Sequence, residues 1–156
     1  MTDSVLVRAP VGVVYRTLTD LDGWPSWLVG CRSRRLAVPS DVTSSDGAPS
    51  GPVDRTALVL PRRRRGLGPR SWRLEVTAYG WRHDLGVCWT VDGAVKLDAE
   101  WWLEVRDEGT VLHHVVHEVR SRAERALQHR QVMMGTMQAM KDHLELAVAL
   151  ASGRIP

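Results

Sequence analysis

The sequence predicts an α+β domain in which a curved antiparallel sheet of about six or seven strands wraps around one long C-terminal helix. Three observations carry that prediction. From Ser121 to Gly153, apolar residues recur at Ala123, Ala126, Leu127, Met133, Met134, Met137, Met140, Leu144, Ala147, Val148 and Ala151, the spacing of a single helical face, interrupted only by Arg130. Upstream, consecutive segments alternate apolar and polar residues with the period of two that marks half-buried strands. A helix of about 30 residues also runs about 45 Å at 1.5 Å per residue, so its apolar face needs a broad curved partner rather than one or two short strands.

Taken in order, Val5 to Arg8 reads as a short strand, and Pro10 then presets the backbone for the first turn of a helix. Val11, Val14, Tyr15, Leu18 and Leu21 share one face of that helix, and Asp22 to Leu28 supplies a turn and a second short helix. Cys31 to Val38 is a strand, followed by a connection from Pro39 to Pro52 rich in Ser, Asp, Gly and Pro. Val53 to Leu60 is the next strand. Ser71 to Tyr79 alternates cleanly, with Trp72, Leu74, Val76 and Ala78 inward and Arg73, Glu75 and Thr77 outward. Leu85, Val87, Trp89 and Val91 repeat the pattern, and Asp92-Gly93 is hairpin-turn chemistry. Val95, Leu97, Ala99, Trp101, Leu103 and Val105 continue inward, with Lys96, Asp98, Glu100 and Glu104 outward. Asp107-Glu108-Gly109 turns the chain into a last strand, Thr110 to Arg120. The long helix then opens on Ser121 and Glu124, the spacing of a capping box, and Gly153 is a stop signal. No repeat or linker divides residues 1–156, so one domain is expected.

The run Val7-Arg8-Ala9-Pro10-Val11 through Leu18-Thr19-Asp20-Leu21-Asp22-Gly23-Trp24-Pro25-Ser26-Trp27 resembles the opening of the START-like superfamily, also called Bet v 1-like or SRPBCC proteins, which includes polyketide cyclase/dehydrase-type proteins. The order of elements extends the resemblance over nearly the whole chain. It implies the helix-grip fold, a curved antiparallel sheet around a long C-terminal helix with two short helices after the first strand. It also implies a cavity between sheet and helix. The aromatase/cyclase branch carries inward polar groups, including an arginine, on the strand equivalent to Ser71–Tyr79; an approximate alignment puts Val76 and Ala78 there, a departure that puts cyclase chemistry in doubt unless Arg32, Arg34 or Arg73 substitutes.

Composition narrows the classes. The chain has 156 residues, enough for a sizeable core, and a net charge of +3 with Lys only at Lys96 and Lys141. No apolar run approaches the ~18 residues of a membrane span, and no signal peptide is evident, so a cytoplasmic location is expected. Cys31 and Cys88 form no C-x-x-C pattern and read as buried thiols rather than zinc ligands or a disulfide. The run Arg62-Arg63-Arg64-Arg65 suggests phosphates or an acidic partner, but it lies among Pro61, Gly66, Gly68 and Pro69 with no interleaved aromatics, which argues for a solvated loop and against nucleic acid.

Two constellations remain. Trp72, Trp89 and Trp101 fall on inward positions of three strands and face Met133, Met134 and Met137 on the helix; with Trp27 at the expected mouth, and Leu74 and Val76 between, they make a surface suited to a flat or greasy ligand. The alternative is that they fill the core. His113, His114 and His117 form an H-H-x-x-H run, yet on a strand His113 and His117 sit about 13 Å apart at ~3.3 Å per residue and His114 points the other way, so no metal is expected. If His113 and His117 face inward they are, with Arg73, the candidate catalytic groups. No nucleophile motif, phosphate loop or dinucleotide fingerprint appears, and no cofactor is implied. The expectation is therefore binding of a hydrophobic small molecule (a lipid, isoprenoid or polyketide-like aromatic) with polyketide cyclisation, aromatisation or dehydration as the alternative.

Overall fold

A computed structural model describes residues 1–38, 52–62 and 70–153. The elements follow as β1 (Thr2–Val7), α1 (Val11–Thr19), a 3₁₀ turn (Trp24–Ser26), β2 (Arg32–Leu36), β3 (Asp54–Arg62), β4 (Arg70–Arg82), β5 (Gly86–Gly93), β6 (Leu97–Arg106), β7 (Gly109–Val119) and α2 (Ala123–Ala151). The strands form one antiparallel sheet in the order β1-β7-β6-β5-β4-β3-β2. This is the helix-grip arrangement. Because β1 pairs with the last strand and β2 lies at the far edge, α1 and the 3₁₀ turn must cross from one edge to the other.

That crossing is pinned by packing. Val14, Tyr15 and Leu18 are buried on α1, and Trp24 is completely buried, its indole N–H donating to the Thr17 carbonyl at 3.1 Å. The Gly23 amide donates to the Asp20 carboxylate at 3.1 Å, holding the turn between the two helices.

The concave face carries the expected sets: Trp72, Leu74, Val76 and Ala78 of β4, Val87, Trp89 and Val91 of β5, and Leu97, Ala99, Trp101 and Leu103 of β6 are all buried. Val105, expected inward, is exposed because the concave face ends near the β6–β7 turn. Leu85 is exposed as well, outside the start of β5. Asp92-Gly93 does not make a two-residue hairpin turn. Gly93 has φ +109° and its Cα faces the Arg73 carbonyl so closely that an added Cβ would lie 2.6 Å away. It therefore bends the end of β5 against β4, and Ala94 to Lys96 complete the connection.

The entrance to α2 also departs from expectation. Ser121 does not cap the helix; its hydroxyl accepts the Lys96 amide at 2.7 Å, tying the β5–β6 connection to the end of β7, and α2 starts at Ala123 behind Arg122. Glu124 instead accepts from Gln128 at 2.9 Å. The buried face of α2 is narrower than the sequence pattern, comprising His129, Val132, Met133, Thr136, Met137, Met140 and Leu144. Leu127 and Met134 sit on its shoulder and are exposed. Gly153, at φ +65°, ends the helix in the left-handed region as expected.

Polar clamps along the edge strand fix the helix on the sheet. Arg130, the one residue that breaks the apolar stripe, grips the buried Asp3 of β1 in bidentate fashion, Nη2 donating to Oδ1 at 2.7 Å and Nε to Oδ2 at 3.0 Å. Lys141 donates to the Leu6 carbonyl at 2.6 Å and to Glu145 at 2.9 Å, and Glu145 accepts the Arg8 amide at 2.9 Å. These polar contacts help set the position of the helix along β1, and the apolar pattern alone does not encode them.

Candidate functional site

The interior between sheet and α2 is organised by a continuous file of rings. Trp27 meets Trp24 at 5.4 Å between centroids, Trp24 meets Trp89 at 5.8 Å, Trp89 meets Trp101 at 5.2 Å, Trp101 meets His114 at 4.5 Å, His114 meets His129 at 5.4 Å, and His129 meets Trp72 at 6.3 Å. The pairs are tilted or edge-on, the geometries that the ring quadrupole favours. Pairing explains the order: Trp89 lies beside Ala78 and Ala99, and Trp101 directly faces His114 across β6 and β7. Met133, Met137 and Met140, fully buried, cover the file from the helix side.

This placement corrects the reading of the histidines. On β7 the inward set is Thr110, Leu112, His114 and Val116, so His113 and His117 face outward. His113 stacks on the exposed Trp102 at 5.1 Å and bonds Ser4 at 2.7 Å, while His117 lies 3.3 Å from Glu100. Arg73 is exposed on the outer face of β4, and Arg32 and Arg34 are exposed on β2. All five therefore face away from the space between sheet and helix. Met134 is 37% exposed, whereas Trp72, Leu74, Val76, Trp89 and Trp101 are buried on the concave face of the sheet and Met133 and Met137 on the buried face of α2. Trp27 is half-buried and stacks on His143 at 6.1 Å, so the short helix meets the C-terminal half of α2.

Two residues that the sequence reading did not place in the site are its most unusual. His114 and His129 are each 1% exposed, and neither ring nitrogen of either has a hydrogen-bond partner among the described residues; nor has the indole N–H of Trp101. Burial pushes the His114 pKa down to about 3, with His129 and the N-terminal amine adding to the effect, and burial pushes His129 down to about 4. Both rings are therefore neutral at pH 7, each with one N–H donor and one bare acceptor nitrogen. Asp3 lies opposite His114 in the β1–β7 register, but its carboxylate is occupied by Arg130. The signal for His129 was present: it stands four residues before Met133, on the same helical face.

Elsewhere, Arg16, Thr17, Thr19, Asp20, Asp54 and Trp81 line an open depression of about 490 Å³ beside α1, which shares no residue with the ring file. Cys31 is buried, its thiol pushed up to about 11 by desolvation, and Cys88 is half-buried. Among the described residues no three His, Cys, Asp or Glu side chains gather as a metal site, and no helix is long and apolar enough to cross a membrane. Arg63, Arg64 and Arg65 lie outside the described residues.

Neither a protein-family model nor a curated protein matches the sequence. The structure, in contrast, is similar to several solved ones. The Zhui aromatase/cyclase from Streptomyces sp. R1128 superposes with a TM-score of 0.63 at 14% identity, covering 95% of this chain and 94% of that one. A START superfamily protein from Mycobacterium smegmatis gives 0.62 at 15% identity over 94% and 97%. The di-domain aromatase/cyclase StfQ of the steffimycin biosynthetic pathway gives 0.62 at 15% identity, covering 96% of this chain and 52% of that one. At these identities the likeness establishes the START-like, helix-grip fold.

Proposed function

We propose that the protein binds a hydrophobic, ring-bearing small molecule between the concave face of the sheet and α2. The observation that carries this reading is the ring file from Trp27 to Trp72 under Met133, Met137 and Met140. Aromatic faces offer stacking to a flat ligand, and unbranched thioether side chains re-pack around different shapes at little cost, so a guest displaces methionines rather than backbone. The fold supports the reading, since solved proteins that share it include a START superfamily protein and aromatase/cyclases. Titrating intrinsic tryptophan fluorescence with a panel of a fatty acid, a prenyl alcohol and fused-ring aromatics tests it. Saturable quenching by at least one class is expected, because five of the seven tryptophans belong to the file. An unchanged spectrum with every member would leave the interior a packed core.

Cyclisation, aromatisation or dehydration of a polyketide chain is the second reading, and one observation favours it. His114 and His129 are imidazoles without partners among the described residues, beside the aromatic floor, and a neutral imidazole can relay a proton by accepting at its bare nitrogen as it releases its N–H while the file holds a flexible chain in one conformation. Turnover of a linear polyketide mimic that His114→Leu and His129→Leu both abolish is the expected result under this reading. Turnover unaffected by both substitutions, or none at all beside tight binding, would leave binding alone.

A further inference from the structure

We infer that Trp101, His114 and His129 form a polar subsite that recognises a neutral hydroxyl group on the bound ring system, so that the guest is a phenol- or enol-bearing aromatic rather than a hydrocarbon, a fatty acid or an amine. The inference rests on the interior-binding reading above and sharpens it.

Five polar atoms carry the argument: the Trp101 indole nitrogen and both ring nitrogens of His114 and His129, each buried and each without a partner among the described residues. Buried polar groups in folded proteins are nearly always satisfied, so five orphans on three consecutive rings of the file mark the place of a missing partner. Between ring centroids Trp101 and His114 are 4.5 Å apart and His114 and His129 5.4 Å, so the His114 ring is next to both of the others and the five atoms gather in one small region. The elements that hold them are β6, β7 and α2, the last clamped locally by Arg130 on Asp3.

The donor and acceptor inventory selects the ligand group. Each neutral imidazole gives one donor and one acceptor, and the indole gives one donor, so the subsite offers three donors and two acceptors. A hydroxyl both accepts and donates, matching a donor on one ring and the bare nitrogen of another. A carboxylate only accepts, leaving both bare nitrogens unmatched, and it brings a net charge into an apolar interior. An ammonium only donates and meets the same penalty. A hydrocarbon satisfies none of the five atoms. Specificity of this kind is steep, because a site built to bond a hydroxyl is left with unpaired groups when the analogue lacks it.

Matched bicyclic probes separate these cases: naphthalene, 2-naphthol and 2-naphthoate, each titrated into the full chain at pH 7.5 by calorimetry and fluorescence. The expected result is 2-naphthol binding at least about tenfold tighter than naphthalene, with 2-naphthoate weakest. The preference should fall to within about threefold in His114→Leu and in His129→Leu, while His114→Gln, which keeps a donor and an acceptor, should retain part of it. A second readout needs no variant: in ¹⁵N spectra of the imidazoles, 2-naphthol should shift the ring nitrogens of His114 and His129 but not those of His83 and His143, and naphthalene should leave them nearly in place. Equal affinity for naphthalene and 2-naphthol overturns the subsite and leaves the interior-binding reading intact. Binding of none of the three overturns both. A naphthol preference that survives in both leucine variants, or that comes without imidazole shifts, overturns the assignment to these residues.

Discussion

The two enclosed imidazoles make the stability of the fold a function of pH in a range where carboxylates are silent. In the unfolded chain His114 and His129 titrate near the ordinary 6.5, whereas in the folded protein burial holds them at about 3 and about 4. Between those values the unfolded chain carries more protons than the folded one, so lowering the pH draws the equilibrium toward unfolding. The effect begins as pH falls through the unfolded value and saturates only below the folded ones. From pH 7.5 to pH 5 each histidine traverses about 1.5 units below its unfolded pKa at 1.36 kcal/mol per unit, so the pair costs about 4 kcal/mol in total. A domain of this size has ~5–15 kcal/mol to lose, and such a decrement is easily measured. The assay is urea unfolding at half-unit pH steps, with the double variant His114→Leu/His129→Leu as the reference. The charged groups nearest the pair, the Met1 amine, Asp3 and Arg130, are unchanged in that variant. The wild type should lose about 4 kcal/mol and the variant less than about 1, and the variant should be at least as stable as the wild type at pH 7.5 because it removes the four orphaned imidazole nitrogens. A flat wild-type profile, or an equal loss in the variant, would refute the burial of uncharged imidazoles.

Gly135→Ala should stabilise the protein by about 1 kcal/mol, because Gly135 lies inside α2 and a Cβ there would meet nothing within 4 Å; a rise in Tm of about 2–4 °C checks it, and a fall would show a hidden contact. Trp27→Ala should alter ligand on- and off-rates in stopped-flow more than it alters Tm, since Trp27 is only half-buried at one end of the ring file, against His143; a large loss of Tm with kinetics intact would make it core instead. His113→Ala, His117→Ala and Arg73→Ala should leave affinity for interior ligands within about twofold, since all three face outward, and a tenfold loss from any of them would contradict the assigned faces.

Much of this architecture was legible because single faces were unambiguous. In β4 the inward series Trp72, Leu74, Val76 and Ala78 alternates with charged or hydroxyl residues, and the strand buries that series as written. In β7 the same logic fails, since Val111 and Val115 on one face are as apolar as Leu112 and Val116 on the other. What decides there is pairing with β6, where Trp101 meets His114 and an irregularity between Asp98 and Ala99 resets the ladder. The width of the buried face of α2 was overestimated for a related reason: Leu127 and Met134 lie on its shoulder, and clamps at Arg130, Lys141 and Glu145 that no apolar pattern encodes set the rotation of the helix. His129 was hidden because the apolar series read along the helix passes over its position, whereas here it completes the ring file.

The central claim, that a ring-bearing guest lies between sheet and helix, meets its most direct test in a methyl spectrum. The chain has five methionines: Met133, Met137 and Met140 are buried under the ring file, whereas Met1 and Met134 are exposed. With methionine methyls labelled with ¹³C and 2-naphthol added to saturation, the signals of Met133, Met137 and Met140 should move by ring-current shifts and show cross-relaxation with the naphthol protons, while Met1 and Met134 stay fixed. Movement confined to Met134 and Met1, or a spectrum unchanged by a probe shown to bind, would place the guest outside the fold's interior and contradict the account.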